Sequence, residues 1–232
     1  MARYGVGILG AGWVAGEYVR VFRDHPQCEI AGVYNRTPGK AARLLAEHGV
    51  EAREYASDDE LFDDERVQIV VSCTPPDPRP EHIVRAAETG RHVVVEKPVA
   101  LDPNVVASLR FENGAVGKLS AVLDADTPYV FNVRLFGTDG TIQNNSVFSS
   151  THYPGSLGYW EFPTVKPDSA DVAHHPFADE IAHFLDCIEA GVESHASIHD
   201  TAKSMAVVFA IEESLVRGGE PVRVADVLAA AV

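Results

Sequence analysis

The spacing of apolar residues along the chain changes character once. From Tyr4 to Pro98, short apolar runs alternate with stretches whose apolar residues recur at helical spacing; beyond Asp102 the helical stretches drop out until about residue 176. Val6, Ile8 and Leu9 read as a buried strand, Gly10-Ala11-Gly12 as a tight turn, and Trp13 to about Arg23 as a helix. Cys28 to Tyr34 predicts a second strand, Gly39 to His48 a second helix, and Ser57 to Glu65 an acidic stretch. Val67 to Thr74 is a near-continuous apolar run of the kind a parallel sheet buries on both faces. Pro75-Pro76 ends it, a helix follows from Pro80 to Thr89, Gly90 closes that helix, and His92 to Pro98 is the next strand. Strands and helices taking turns at this spacing predict a right-handed, doubly wound parallel sheet.

The later pattern is different. Val105 to Phe111 and Ala115 to Leu123 flank Asn113-Gly114, a two-residue hairpin signal because both positions tolerate positive φ. Tyr129 to Phe136 and a turn at Asp139-Gly140 continue an antiparallel sheet with no helices between its strands. A polar loop with aromatics, Ser149 to His175, leads to two closing helices at about 176–190 and 200–217. In the first, Pro176 suits the N1 position, Asp179 and Glu180 the first turn, and Phe177, Ile181, Phe184, Leu185 and Ile188 one apolar stripe. The expectation is an α/β domain with a doubly wound parallel sheet over 1–102 and a smaller α+β domain over 103–232 with a mainly antiparallel sheet.

At 232 residues the chain can bury a core without disulfide or metal staples. Its net charge of −15 repels phosphate backbones and anionic membranes, so neither nucleic acid nor membrane is an expected partner. Cys28, Cys73 and Cys187 are odd in number and sit in apolar runs, which suits buried thiols in a reducing, cytoplasmic setting. No stretch reads as a signal peptide or membrane span.

The candidate chemistry begins at the first turn. Gly10, Gly12 and Ala15 fit GxGxxG/A, in which the first glycine turns the chain, the second admits a pyrophosphate, and the small third residue lets helix pack on strand. Such a helix start offers unpaired N–H groups and the positive end of a dipole to an anion. After the second strand, where a carboxylate would bond the adenosine ribose, the chain has Asn35-Arg36-Thr37, with Lys40 one turn on. A guanidinium and an ammonium in place of the carboxylate favour a 2′-phosphate, hence NADP ahead of NAD. Arg36 as a solvated charge beside a helix start is the plainer alternative.

GILGAGWVA, the run from Thr74-Pro75-Pro76 to His82, the strand ending Glu96-Lys97-Pro98, and the later LRFENGAVGKLS and LFGTDGTI runs together resemble the Gfo/Idh/MocA family of glucose-fructose oxidoreductases and inositol dehydrogenases. The resemblance implies a Rossmann domain joined to an open-sheet domain, NAD(P)-dependent oxidation of sugars, inositols or related polyols, and a homodimer or homotetramer formed through the second sheet. By position it puts the pyrophosphate over Gly10, Gly12, Trp13 and Val14, and the adenosine ribose or its phosphate at Asn35, Arg36 and Thr37. It puts the nicotinamide side near Thr74, Pro75, His82, Glu96 and Lys97. Lys97 resembles the family lysine that bonds the reacting hydroxyl, and an ammonium at the carboxyl end of a sheet can stabilise alkoxide character. A surface lysine paired with Glu96 is its simpler reading, and local bonding is that of His82. Tyr153, Tyr159 and Trp160 either stack on a sugar or pack locally. His174, His175, Asp179 and His183 lack the logic of an open metal site, and no metal is expected.

The resemblance breaks after Asp102. The family continues there with a helix, a further strand of the nucleotide sheet, a linking helix and a segment carrying an acid/base histidine with an aspartate one turn away; this chain passes directly to Val105-Val106-Ala107. A stretch of a longer protein left out of this sequence, a deletion, or a diverged relative each account for the gap, and the apolar surface such a jump would expose favours the first. A positioned proton-transfer group is worth about 10²–10⁴ in rate, so its loss bears on function. Besides the dehydrogenase, two readings therefore follow: glycoside cleavage through transient oxidation by NAD, and a non-catalytic dinucleotide-binding protein.

Overall fold

The computed structural model describes residues 4–75, 79–96, 104–122, 124–127, 132–163 and 175–230. By internal contacts the chain divides into two compact units, Met1–Ala121 with Pro176–Val232, and Val122–His175.

The first unit is built on a five-stranded sheet. In chain order its elements are β1 (Tyr4–Leu9), α1 (Trp13–Asp24), β2 (Cys28–Tyr34), α2 (Lys40–Glu47), β3 (Arg53–Tyr55), α3 (Asp58–Asp63), β4 (Val67–Ser72), α4 (Arg79–Glu88) and β5 (His92–Val95). The strands lie in the order β3-β2-β1-β4-β5, all pairings parallel. Successive connections run outward from β1 in opposite directions, so the sheet has a topological switch point between the carboxyl ends of β1 and β4, where open α/β sheets bind ligands. Both faces are covered, as the apolar runs required. Val6, Ile8, Val33, Ile69 and Val71 pack with Tyr18, Val19 and Phe22 of α1 and Leu44 and Leu45 of α2. Leu9, Ala31, Val67 and Val70 pack on the opposite side with Leu61 and Phe62 of α3 and Ala86 of α4. Each fully buried Val, Ile or Leu here contributes about 1.5–3 kcal/mol.

One of these elements, α3, lies in the stretch described above only as acidic, and β3 comes just before it. Ser57 caps α3 by accepting from the Glu60 N–H at 3.1 Å, which turns four acidic residues into a helix rather than a loop. Tyr55, on β3, sends its hydroxyl to Asp64 at 2.8 Å.

The hairpin β6 (Asn104–Arg110) and β7 (Val116–Val122) forms a separate two-stranded sheet. Its loop corrects the expected turn. The Gly114 N–H donates to Phe111 O at 3.0 Å and the Phe111 N–H to Ala115 O at 2.9 Å, and of the pair Asn113-Gly114 only the glycine has positive φ, 85°. The Asn113 side chain accepts from the Ala115 N–H at 3.0 Å instead, giving a three-residue loop with a glycine bulge.

The second unit holds β8 (Arg134–Phe136), β9 (Thr141–Gln143), β10 (Ser146–Phe148) and β11 (Trp160–Glu161), an antiparallel sheet in the order β11-β10-β9-β8. The register sets Leu135 beside Ile142, Ile142 beside Val147, and Val147 beside Trp160, so one face carries an apolar row across all four strands.

The closing helices are α5 (Phe177–Ala190), α6 (Ile198–Val216) and α7 (Val224–Ala230). Pro176 is the N-cap of α5 rather than its first residue, a shift of one position. The stripe of α5 lies on the first sheet's core: Phe177, Ile181 and Leu185 belong to the cluster of Val6, Ile8 and Tyr18, and Phe177 meets the Tyr18 ring edge-on at 5.4 Å. Among the described residues no helix is long and apolar enough to cross a membrane.

Candidate dinucleotide site

β1 delivers its chain to the switch point, and the turn that follows is fixed from both sides. The Gly10 N–H donates to Tyr34 O at 2.8 Å, and the Cys73 N–H to Leu9 O at 2.8 Å, pinning the turn to the ends of β2 and β4. Gly10 has φ of 101°, and a Cβ there would stand 2.8 Å from Cys73 O, so no larger residue fits. Gly12 is the opposite case. Its backbone is ordinary for any residue, φ −84° and ψ −178°, and a Cβ would meet no atom within 4 Å. Nothing in the protein itself demands glycine at 12; open space lies over it.

That space adjoins the start of α1. Gly12 is the N-cap, no side chain caps the helix, and its first turn has no acidic residue, so the dipole's positive end is unneutralised. Trp13 at the first position is 58% exposed, and Val14 behind it is partly buried against the core. A pyrophosphate over Gly10, Gly12, Trp13 and Val14 would meet these backbone donors.

Asn35 is held in place by two hydrogen bonds. Its Oδ1 accepts from the Ala11 N–H at 3.1 Å and its Nδ2 donates to Thr37 O at 3.0 Å, tying the glycine turn to the end of β2. Arg36, Thr37 and Lys40 beside it are exposed. Neighbouring cations are neutralised, Arg43 by Glu47 at 2.8 Å and Arg53 by Glu60 at 2.9 Å. Among the described residues Arg36 and Lys40 have no acidic partner, which leaves two positive charges beyond the end of β2.

Past β4, Thr74 and Pro75 stand at the same end of the sheet. Ser72 is wholly buried, and its hydroxyl lies 3.3 Å from Thr74 Oγ1 and 3.0 Å from His82 Nδ1. His82 is only 6% exposed and neighbours the Phe62 ring at 6.5 Å, so the imidazole braces the loop after β4 from within.

Glu96 follows β5 directly, its N–H donating to Ser72 O at 3.1 Å. Its Oε1 accepts from the buried Tyr18 hydroxyl of α1 at 2.9 Å. Burial, then the charges of Glu96 and Glu180, push the Tyr18 hydroxyl far above the usual phenol range, so it stays a donor. Partial burial, then the Glu96 charge, raises the Glu180 carboxyl on the first turn of α5. Lys97 lies outside the described residues.

The first turns after β1, β2, β4 and β5 thus bring Gly10, Gly12, Asn35, Thr74 and Glu96 to one end of one sheet. Sequence reasoning passed over Ser72, Tyr18 and Glu180. A serine closing an apolar strand, and a tyrosine on the apolar face of a helix, were the signals available for the first two.

Comparison with known proteins agrees with this construction. Residues 4–110 match the model of an oxidoreductase family described as having an NAD-binding Rossmann fold. An inositol 2-dehydrogenase/D-chiro-inositol 3-dehydrogenase of Lactiplantibacillus plantarum is 30% identical over 98 residues, 42% of this chain and 28% of that protein. An inositol 2-dehydrogenase of Rhizobium meliloti is 28% identical over 138 residues, 59% of this chain and 41% of that protein. The matched region therefore spans well under two thirds of either relative. A levoglucosan dehydrogenase solved with NADH has the same fold, with TM-score 0.73 at 16% identity over 92% of this chain and 97% of that one. Residues 4–110 are thus what this chain shares with the Gfo/Idh/MocA oxidoreductase family, whose model they match.

Proposed function

We propose that the protein is an NADP-preferring oxidoreductase that moves hydride between the nicotinamide and a carbinol of a sugar, inositol or related polyol. The observation that carries this reading is the open space over Gly12, above an uncapped helix start and a turn pinned on both sides. The residues fit the cofactor. The turn and first N–H groups of α1 would hold the pyrophosphate, and Arg36 and Lys40 a 2′-phosphate, with Thr37 beside them. Thr74, Pro75 and Glu96 would border the nicotinamide. The nicotinamide, when bound, supplies the hydride acceptor or donor; Lys97 would bond the reacting oxygen and stabilise its developing negative charge.

Asn35 acts one step back from the ligand, because both ends of its amide are engaged in holding the turn. His82 acts likewise through Ser72 and Thr74. The apolar row of the second sheet supports self-association there: Leu135, Ile142 and Trp160 are 57%, 45% and 56% exposed, more than a lone sheet gains by leaving uncovered.

The test is a fluorescence titration of the purified chain with NADPH and NADH, followed by a polyol and sugar panel read as NADP reduction. Tight binding with turnover of a panel member supports the proposal. Binding without turnover by any member would leave the protein a dinucleotide binder, the reading favoured by the missing acid/base segment, and no binding would refute both.

A further inference from the structure

A dinucleotide laid over this end of the sheet needs two parts of the chain held at a fixed span: the start of α1 and the loops after β4 and β5. The contacts there close into a ring. The turn after β1 sits on the loop after β4, the Cys73 N–H donating to Leu9 O at 2.8 Å and a Cβ on Gly10 reaching 2.8 Å from Cys73 O. The end of β4 holds the residue that follows β5, the Glu96 N–H donating to Ser72 O at 3.1 Å. The Glu96 carboxylate accepts from the Tyr18 hydroxyl at 2.9 Å, and Tyr18 stands on the second turn of α1, the helix whose N-cap is Gly12. Of these links all but the last are made by backbone.

Packing alone does not ask for a hydroxyl at this position. Tyr18 is only 2% exposed, its ring edge-on to Phe177 at 5.4 Å and stacked near Phe22 at 6.4 Å, and phenylalanine would meet the same two rings. Burying a hydroxyl is costly unless it is bonded, and the partner here is a carboxylate 78 residues away in the chain. The two rings leave the tyrosine little room to turn, so its hydroxyl is aimed, and a bond from it to a carboxylate is among the stronger kinds.

Resting on the dinucleotide reading above, we propose that Tyr18 is the positioning residue for the nicotinamide half of the cofactor: through Glu96 it fixes the loop after β5 relative to the helix that holds the pyrophosphate. It touches no part of the cofactor itself. The adenosine half rests on the glycine turn, Asn35 and Arg36, none of which the Tyr18–Glu96 link joins, so that half binds without it. The nicotinamide half depends on the link, because Glu96 borders it and Lys97 is the next residue. A tyrosine serving the fold alone would lower stability when replaced and leave the balance between the two halves where it was.

The experiment is calorimetry of the full chain with NADPH against 2′-phospho-ADP-ribose, which lacks only the nicotinamide ring, and with NADH against ADP-ribose, so that the result does not hang on the 2′-phosphate. Tyr18→Phe, shown by circular dichroism to be folded at the assay temperature, should weaken the reduced dinucleotide about tenfold and its ADP-ribose counterpart by less than about twofold. Glu96→Ala should show the same selective loss, and adding Tyr18→Phe to it should cost less than about twofold more. Glu96→Gln, whose amide oxygen still accepts from the Tyr18 hydroxyl, should recover at least about threefold of what Glu96→Ala loses. Equal losses for the two kinds of ligand in Tyr18→Phe, no loss for either, or a full further loss on top of Glu96→Ala would overturn the proposal while the dinucleotide reading stands. A wild-type chain that binds none of these ligands would overturn the reading beneath it.

Discussion

Two glycines of one turn should behave oppositely when each is replaced by alanine. At Gly10, φ of 101° lies where an L residue is strained by about 1–2 kcal/mol, and the added Cβ would press to 2.8 Å on the Cys73 carbonyl, whose N–H is itself bonded to Leu9 O. Backbone must shift, so Gly10→Ala should cost about 2–4 kcal/mol, or roughly 5–15 °C in Tm for a chain of this size. At Gly12 the backbone is ordinary and the Cβ enters empty space. Alanine is the poorer N-cap by about 0.5–1 kcal/mol, and the lost freedom of the unfolded glycine returns about 0.4–1 kcal/mol. The two nearly cancel, so Tm should move by less than about 2 °C. Binding should move a great deal, because the methyl group stands where a pyrophosphate must come. A loss of about 100-fold in NADPH affinity, close to 2.7 kcal/mol, is expected. Thermal unfolding by circular dichroism and a fluorescence titration measure the two quantities on the same samples. A Gly12→Ala protein that binds NADPH as wild type does would mean that the space over the turn is not the phosphate site.

Other perturbations follow from single contacts. Ser57→Ala removes the only side-chain cap of α3 and should cost about 1 kcal/mol in urea unfolding, with no effect on cofactor binding. Arg36→Ala should weaken NADPH by about tenfold and NADH by less than twofold, since only the 2′-phosphate distinguishes them; equal losses would place Arg36 elsewhere than at that phosphate. Hydrogen bonds from Arg66 (one at 2.6 Å), then its backbone N–H and Tyr55, hold the Asp64 carboxyl below the usual carboxylate range. Its folded value being the lower one, the unfolded state binds the proton first, so this stabilisation is complete above about pH 4 and is lost as pH falls. Asp64→Asn should therefore flatten the acid limb of the stability profile measured by urea unfolding from pH 5 to 2.

What could be read from the sequence tracks how local the determining interactions are. β1, β2, β4 and β5 are apolar runs long enough to register, and the glycine turn carries its own spacing. The Ser57-Asp58-Asp59-Glu60 capping pattern was also in the sequence, but its run of acids disguised a helix whose apolar face is only Leu61 and Phe62. β9, β10 and β11 have three residues or fewer, too short for an alternation to show. The hairpin at Asn113-Gly114 differs by one residue because asparagine spent its side chain on the Ala115 N–H rather than adopting positive φ.

The site divides along the same line. Gly10 and Gly12 were legible because the requirement each meets is set by adjacent backbone and by a ligand of known shape. Asn35 was legible as a position but not as a role: its engagement with Ala11 spans 24 residues, and only the parallel pairing of β1 with β2 brings the two together. Tyr18 and Glu96 are 78 residues apart, and Phe177 joins Tyr18 only because α5 returns to the first sheet's core after the chain has built a second sheet. Such a cluster has no signature in spacing. Its one trace is a tyrosine on the apolar face of α1 where leucine would pack equally well, and the hydroxyl that leucine lacks is the atom that holds Glu96. The buried donor therefore has a direct test of its own: Tyr18→Phe, which keeps the ring against Phe177, should cost about 1–2 kcal/mol through the Glu96 carboxylate it leaves without that bond. A phenylalanine protein as stable as wild type would mean that Glu96 is held by other partners and that the tyrosine is there for its ring alone.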